Sequence, residues 1–356
     1  MAFYRQHMTI RELFTQKVKV GKLLYFSFLT LLFFGRGYSQ EIIPTYSDYL
    51  TDNLYLLHPS MAGASNMNKV RLTARQQWFD VENAPGLQTL SIHARTGKKI
   101  GLGGIAFNDH NGNFSRRGLY GTFAYHLMFS RSELDLNQLS FGVSAGFIQH
   151  SLDQRGFTSF DPLAGNGYTS DFYGNMDIGA SYYYYNFFTH LTAKNILSIE
   201  REFFYSPADS KNQRKYLFST GYVIETPQRY WSYEPSVLFQ WKEFSGEKLL
   251  DINLKVYREM DSGSLFGGLS YRKNFEGAEY TNSNERILNQ QLQYLTPFAG
   301  FEHRNFLFAY TYSQQFNSIL MSNAGFHQIT LGWNFGENRG RYECYCPGVN
   351  QKRRRR

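Results

Sequence analysis

The sequence predicts an all-β fold, an up-and-down antiparallel β-barrel of about fourteen strands that crosses a membrane. Three observations lead to this prediction. Apolar and polar residues alternate through most of the chain, long and short connections alternate between these segments, and aromatic residues make up 18% of the sequence. Alternation with a period of two is typical of strands, because successive side chains point to opposite faces. Tyr and Phe gather near the predicted strand ends, as they do in the interfacial girdles of membrane barrels.

The stretch 138–147, QLSFGVSAGF, shows the alternation most clearly: Leu, Phe, Val, Ala and Phe alternate with Ser, Gly, Ser and Gly. One face is therefore large and apolar, and the other is small and polar. Small side chains cannot fill a cylinder of about fourteen strands. We therefore expect lipid against the apolar face and water or a plug inside. The predicted strands lie near 70–75, 89–95, 99–108, 117–129, 138–147, 176–185, 187–195, 216–224, 232–242, 250–256, 264–272, 292–301, 305–314 and 328–335.

The connections between these strands predict two unlike ends of the barrel. The long connections, 151–175, 196–215 and 273–291, are all odd-numbered in chain order, whereas tight turns such as 185–186 are even-numbered. In an up-and-down barrel the odd and even connections lie at opposite ends, with short turns in the periplasm and longer loops outside. We expect the long loops to face outward, where loops carry recognition.

The two ends of the chain hold the excess of positive charge. Residues 1–40 combine a basic leader with the apolar run Leu23–Phe34, which predicts a signal peptide cleaved near Ser39 or Gln40; a single-span anchor is the alternative. The formal net charge is +8, but the leader and the tail Lys352–Arg356 each contribute +5. The body is nearly neutral, which argues against a nucleic-acid partner.

These observations divide the chain into four predicted parts. They are a signal peptide at 1–40, a periplasmic lead-in or plug segment at 41–68, an outer-membrane barrel at 69–336 and a basic periplasmic tail at 337–356. The segment 41–68 is polar and lacks strand alternation, so it could enter the lumen or lie against a periplasmic partner. Both termini are expected in the periplasm.

Motifs for catalysis, cofactors or metals are not found. Cys344 and Cys346 cannot form a disulfide framework and make a poor zinc site without nearby histidines. The run 108–113 resembles a calcium loop, but its spacing fails, so a surface turn is expected. The histidines are scattered without ligand spacing. We expect no enzymatic activity, no cofactor and no metal, although a Ser and a His on neighbouring strands of an outer-membrane hydrolase stay possible.

The segment after the leader carries the most specific motifs. It reads Tyr46-Ser47-Asp48-Tyr49, then Asn53 and His58-Pro59-Ser60-Met61-Ala62-Gly63, followed by Arg75-Gln76-Gln77-Trp78 and Ala84-Pro85. Later come Gly101-Leu102-Gly103-Gly104 with Asn108-Asp109, and Cys346-Pro347. These motifs resemble those of the PorP/SprF family of outer-membrane proteins of Bacteroidota.

The resemblance implies a barrel of the type IX secretion system and, in gliding bacteria, of gliding motility. Such a protein would assist export or surface anchoring of a large adhesin, without enzymatic activity. The implied partners are the C-terminal domain of the secreted adhesin, periplasmic secretion components and outer-membrane lipid. A passive porin or small-molecule transporter is the alternative. The candidate partner or plug contacts are Tyr49, Asn53, Pro59, Ala62, Gly63, Arg75, Trp78, Asn108 and Asp109.

Overall fold

The structure is a computed structural model that describes residues 47–77, 84–130, 135–155, 167–197, 214–226, 230–243, 246–275, 279–281, 287–289, 292–316, 325–336 and 349. The predicted signal peptide, Trp78, Cys344, Cys346 and all of the basic tail except Val349 lie outside these residues, as do the central parts of the long connections. Within the described part of the chain, no helix has the length and apolar character needed to cross a bilayer.

Fourteen strands form a closed antiparallel barrel, as the sequence predicts. Neighbours along the chain pair with each other, and the last strand closes the cylinder on the first, from Asn68 opposite Phe335 to Gln77 opposite Phe326. The barrel strands are β1 (Asn68–Gln77), β2 (Gly86–Thr96), β3 (Ile100–Asn111), β4 (Phe114–Met128), β5 (Asn137–Asp153), β6 (Tyr168–Tyr184), β7 (Phe187–Lys194), β8 (Lys215–Tyr222), β10 (Trp231–Lys242), β11 (Lys248–Met260), β12 (Gly263–Asn274), β15 (Gln293–His303), β16 (Phe306–Phe316) and β17 (Phe326–Phe335).

Three further strands are short. The two-residue β9 (Ile224–Glu225) pairs with β10 and continues the line of β8 beyond Val223. The strands β13 (Glu279–Thr281) and β14 (Ile287–Asn289) form a separate hairpin in the connection between β12 and β15. Neither feature changes the count of fourteen strands around the barrel.

The two faces of the strands differ as predicted. On β5, Val143 is 43% exposed and Ser144 only 3%. The same contrast occurs along β1, where Leu72 is exposed on the outside and Arg71 and Thr73 are buried on the inside. Large apolar side chains thus cover the outer surface, as hydrocarbon surroundings require, because only lipid makes an exposed apolar surface of this extent favourable. The fold is a transmembrane β-barrel.

The inner face is more highly charged and more tightly filled than the small residues of 138–147 suggest. Arg71, Lys215 and His190 are among the largest fully buried side chains. Buried apolar side chains such as Ile148 and Leu238 also point inward. The lumen therefore contains a packed polar and apolar interior along with its small residues.

The connections lie at two ends, which we call the turn end and the loop end. The turn end carries the connections that follow β2, β4, β6, β8, β11 and β15. The predicted connection at 109–116, between the predicted strands 99–108 and 117–129, is too wide, because β3 extends to Asn111 and β4 begins at Phe114. Gly112 has φ +57°, which lets the chain reverse over two residues. The polar run 108–113 is thus mostly strand and only partly turn.

Candidate functional site: a plug in the barrel lumen

Residues 47–67, which we call the plug segment, lie inside the barrel ahead of β1. The segment contains three short 3-10 helices, Ser47–Thr51, Leu54–Leu56 and Pro59–Met61. From Tyr49 to Met67 all residues are buried except Asp52 and Leu54, which are half-buried. Its hydrogen bonds reach strands on opposite sides of the cylinder, including β2, β7, β11 and β17. A segment with such contacts occupies the lumen.

Local sequence explains the irregular path of the plug segment. His58 precedes a proline and adopts an extended conformation, with φ −121° and ψ 105°, as residues before proline do. Asp52 has φ +63° and Gly63 has φ +64°, both in the left-handed region that reverses the chain. Asp tolerates this region better than most residues, and Gly adopts it freely. The segment can therefore turn repeatedly within a narrow lumen.

The end of the plug segment is fixed to β2 and β4 near the turn end. The Gly63 N–H donates to Nδ1 of His93 at 3.1 Å, and the Gly63 carbonyl accepts from Nε of Arg95 at 2.7 Å. Nε2 of His126 donates to the Ala62 carbonyl at 3.0 Å. Both backbone groups of Gly63 are thus bound, which satisfies buried polar groups that would otherwise be costly.

The middle of the plug segment contacts β7 and β8. His58 bonds the hydroxyl of Thr192 through Nδ1 at 2.8 Å and that of Ser219 through Nε2 at 3.0 Å, and its ring stacks on His190 at 4.7 Å. Burial, followed by the nearby charges of His190 and Lys194, lowers the pKa of His58 well below its usual value. His58 is therefore neutral, so one ring nitrogen accepts while the other donates.

The beginning of the plug segment contacts β11 and β4. The Tyr49 hydroxyl donates to Asp251 on β11 at 2.8 Å, and the Tyr55 hydroxyl donates to Thr122 on β4 at 2.6 Å. Burial, then the negative charge of Asp251, raises the pKa of Tyr49, and burial raises the pKa of Tyr55. Both hydroxyls are protonated at neutral pH and act as donors.

Asp52 provides the charge that fixes the plug segment to β1. Its carboxylate accepts from Nζ of Lys69 at 3.0 Å and from Nη2 of Arg71 at 3.2 Å. Burial alone would raise the pKa of Asp52, but the charges of Lys69, Arg71 and Lys255 together lower it. Lys69 and Arg71 are almost fully buried, so the plug segment supplies the anion that these wall cations need.

Glycines in the barrel wall make room for the plug segment. A Cβ atom at Gly142 would overlap the backbone of Pro59 and Ser60, one at Gly101 would overlap that of Ala62, and one at Gly103 would lie 2.7 Å from Cζ of Tyr55. By contrast, a Cβ at Gly121 would meet nothing within 4 Å. The wall and the plug segment therefore approach each other closely at glycine positions.

The candidate residues that the structure describes fall into three groups. Tyr49, Asn53, Pro59, Ala62 and Gly63 come together in the plug segment; Asn53 accepts from Ser91 at 3.3 Å.

Arg75 lies on the inner face of β1, where its guanidinium is 4.8 Å from the ring of Phe326. Asn108 and Asp109 pair with Arg117 and Arg116 of β4, respectively. The structure therefore does not bring Asn108 and Asp109 together with the plug segment. Trp78 lies outside the described residues.

Sequence reasoning missed several residues of the lumen. Asp52 and His58 fix the plug segment, and Lys194 donates to the carbonyl of Leu56 at 2.8 Å, yet none of them was a candidate. Glycines within a strand, such as those of 101–104, permit close approach of another backbone. That signal was available, but the sequence could not show what approaches them. Within the described residues, no three His, Cys, Asp or Glu side chains are grouped as metal ligands.

Comparison with solved structures finds other membrane barrels at low identity. The CymD monoaromatic hydrocarbon channel aligns with a TM-score of 0.46 and 10% identity over 80% of this chain and 91% of that one. A deltaS2 mutant of the TodX monoaromatic hydrocarbon channel gives 0.45 and 8% over 79% and 92%. BamA from Haemophilus ducreyi, lacking POTRA domains 1–3, gives 0.41 and 8% over 75% and 70%. No curated protein matches the sequence.

The closed barrel, its apolar outer face and its occupied lumen define a plugged outer-membrane β-barrel. The family model for the type IX secretion system membrane protein PorP/SprF matches residues 38–333. The match includes the plug segment and nearly all of β1 to β17. The chain belongs to the PorP/SprF family.

Proposed function

We propose that this barrel is a non-enzymatic component of the type IX secretion and gliding machinery that assists export or surface anchoring of a large adhesin-type substrate. It acts through protein–protein contacts with the adhesin C-terminal domain and with periplasmic secretion components. The family assignment supports the secretion role. The plug segment supports action through contacts, because a lumen crossed by this segment does not provide an open path for solutes.

The plug segment also weighs against the passive porin. In a porin the lumen is a water-filled channel. Here the plug segment bonds to wall residues on opposite sides, among them Thr192, Asp251 and Thr330. These bonds hold the plug segment across the lumen, where it would obstruct the passage of solutes. We therefore expect the purified protein to show little steady conductance in planar bilayers.

The four-part division of the chain belongs to the same proposal. We propose that residues 1–40 are removed as a signal peptide and that 337–356 form a basic periplasmic tail. The pairing of Asn68 with Phe335 puts the beginning of β1 and the end of β17 side by side at the turn end. We propose that this end and both termini lie in the periplasm, where such barrels have their short turns. The carbonyl of Val349 also accepts from the Asn66 N–H at 2.7 Å, close to the beginning of β1.

The candidate partner contacts remain part of the proposal. The plug residues Tyr49, Asn53, Pro59, Ala62 and Gly63 would act by holding the plug segment against the wall. Arg75, Asn108 and Asp109, which belong to the loop halves of β1 and β3, would lie closer to the secreted partner. Trp78, outside the described residues, is proposed as a partner contact from the sequence alone.

Deletion of the gene tests the role in secretion. We expect the mutant to lose one large protein from its surface while uptake of small solutes stays unchanged, and a plasmid copy should restore that protein. Gentle co-purification from outer membranes should recover the same surface protein or a periplasmic secretion component. A deletion mutant with all its surface proteins in place, or with reduced solute uptake alone, would contradict the proposal.

A further inference from the structure

A row of polar side chains crosses the lipid-facing side of the barrel near the loop end. Its members, which we call the polar row, face outward from β2 to β5, each opposite the next in the strand register: Gln88, Asn108, Arg117 and Gln149. Gln88, Arg117 and Gln149 are exposed, and Asn108 is half-buried. Within an outer surface that is largely apolar, a continuous row of polar side chains on neighbouring strands calls for a physical reason.

The residues on either side of the polar row fix its depth in the membrane. Two residues nearer the turn end on each strand, the same register aligns an apolar row of Leu90, Ala106, Leu119 and Phe147. In this apolar row Leu119 is 63% exposed and Phe147 is 60% exposed, which hydrocarbon surroundings favour. Two residues nearer the loop end, the outward positions on β3, β4 and β5 are again polar: His110, Ser115 and Ser151. The polar row therefore lies at the boundary between hydrocarbon and headgroups, where a charged side chain costs little.

Arg117 is the cation of the polar row, and no carboxylate of the described residues compensates its charge. Its Nε donates to the side-chain oxygen of Asn108 at 3.1 Å, which is a neutral acceptor. Arg116, the preceding residue on β4, lies on the inner face and is held by the carboxylate of Asp109 across the same pair of strands. Asn108 thus orients the guanidinium of Arg117 without neutralising it. The N–H groups on its two Nη atoms bond to none of the described residues.

The free side of this guanidinium is suited to a phosphate group. Arginine presents its N–H groups as a planar fork, which binds two oxygens of one phosphate through parallel hydrogen bonds. On the other side of Arg117, Nε2 of Gln149 donates to the hydroxyl of Ser170 at 3.0 Å, which holds the amide beside the guanidinium. An amide nitrogen carries two N–H groups, so Gln149 has a second donor for a phosphate oxygen. At this depth the phosphates within reach are those of lipid headgroups.

We propose that the polar row binds the phosphate group of a lipid in the outer leaflet. Arg117 is its charge partner, Asn108 orients the guanidinium, and Gln149 adds a hydrogen-bond donor. The acyl chains of the lipid lie against Leu119 and Phe147 in the apolar row below. The outer leaflet of a bacterial outer membrane contains phosphorylated glycolipids, which fit this chemistry. The choice of leaflet rests on the proposed placement of the loop end outside the cell, whereas the binding itself does not depend on the secretion role.

Native mass spectrometry of the purified protein, released from detergent, tests the site. The probes are lipid A and the same lipid A after enzymatic removal of its phosphates, so that the acyl chains are unchanged. We expect saturable binding of lipid A and at least about tenfold weaker binding of the dephosphorylated form, because hydrogen bonds to charged groups are the stronger ones. Glucosamine 1-phosphate, a soluble headgroup without acyl chains, should also bind at least about tenfold more weakly than lipid A. Equal binding of lipid A and either of the other probes would overturn the proposal.

Two variants and a control assign the binding to the polar row. Arg117→Gln should weaken binding of lipid A at least about tenfold, because the charge and the fork are both lost. Asn108→Asp keeps Arg117 but places a carboxylate against it, so binding should weaken by a similar factor without a fall in the thermal midpoint. Arg258→Gln, at an exposed arginine over Trp231 near the turn end, should bind as the wild type does. Wild-type affinity in either variant, or an equal loss in the control, would overturn the proposal. Because the purified protein is measured, such a result would leave the secretion role untouched.

Discussion

Replacement of Gly142 by alanine should loosen the plug segment without disturbing the barrel. A Cβ atom at Gly142 would lie 2.5 Å from the Pro59 carbonyl oxygen and closer still to Pro59 C and Ser60 N. Ordinary contacts of a Cβ begin near 3.4 Å. Because the neighbouring atoms are backbone, no side-chain rotation can relieve the overlap. The plug segment must move by about an ångström, or the strand must.

The expected effect follows from the cost of overpacking. An extra methyl in a filled interior costs about 1–3 kcal/mol. If this cost falls on the docked plug segment, the population with a displaced plug rises about 5- to 150-fold. Alanine also reduces the entropy of the unfolded chain, which offsets up to about 1 kcal/mol of the global loss. We therefore expect a clear increase in the fraction of open barrels and only a small decrease in the thermal midpoint.

Conductance in planar bilayers measures this opening. We expect wild-type protein to remain closed for most of the record, and Gly142→Ala to show more frequent openings. Gly121→Ala is the matched control, because its strand lies beside β5 and its Cβ would meet nothing within 4 Å. Equal conductance and equal thermal midpoints in the two variants would refute the close contact between Gly142 and Pro59.

Three further predictions concern the lipid face, a buried histidine and a buried ion pair. Val143→Arg, in the middle of the lipid-facing side of β5, should lower the free energy of unfolding by about 2–4 kcal/mol when the protein is unfolded by urea from lipid. Gln149→Arg, near the loop end of the same strand, should lower it by about 0–1 kcal/mol. Equal losses would show that the two residues do not lie at different depths in the membrane. The folded pKa of His58 is below its unfolded value of about 6.5, so its stabilisation is complete above that pH and is lost as pH falls below it. The thermal midpoint should therefore fall more between pH 7.5 and 5 in wild type than in His58→Gln, and equal falls would contradict this. Asp52→Asn leaves the wall cations buried without their anion and should lower the free energy of unfolding by about 3–5 kcal/mol in the same assay. The double variant Asp52→Asn, Lys69→Met should lose less, because one of those cations is removed. An unchanged free energy of unfolding in Asp52→Asn would exclude the ion pair.

Most of the fold could be predicted from sequence because its signal is local. Each strand carries its own alternation, and every predicted strand overlaps one of the fourteen in the barrel. The connection at 109–116 was predicted too wide because Asn, Asp, His and Gly at 108–113 have the composition of a turn. Pairing with β2 and β4 overrides that composition, since Asp109 finds its partner Arg116 across the hairpin. Tertiary pairing is not visible in a single stretch of sequence.

The contacts of the plug segment could not be predicted for a different reason. Within 138–147, the inner-face residues Ser140, Gly142 and Ser144 look alike in sequence, as small residues beside large ones. In the structure Ser140 bonds Nδ1 of His126 at 2.8 Å, Ser144 bonds Thr122 at 2.6 Å, and Gly142 faces the backbone of Pro59. Each is small because a different neighbour occupies the space, and two of the three neighbours belong to the wall itself. The alternation shows which face of the strand is inside. Only the path of the plug segment shows at which small residues a larger side chain would displace that segment.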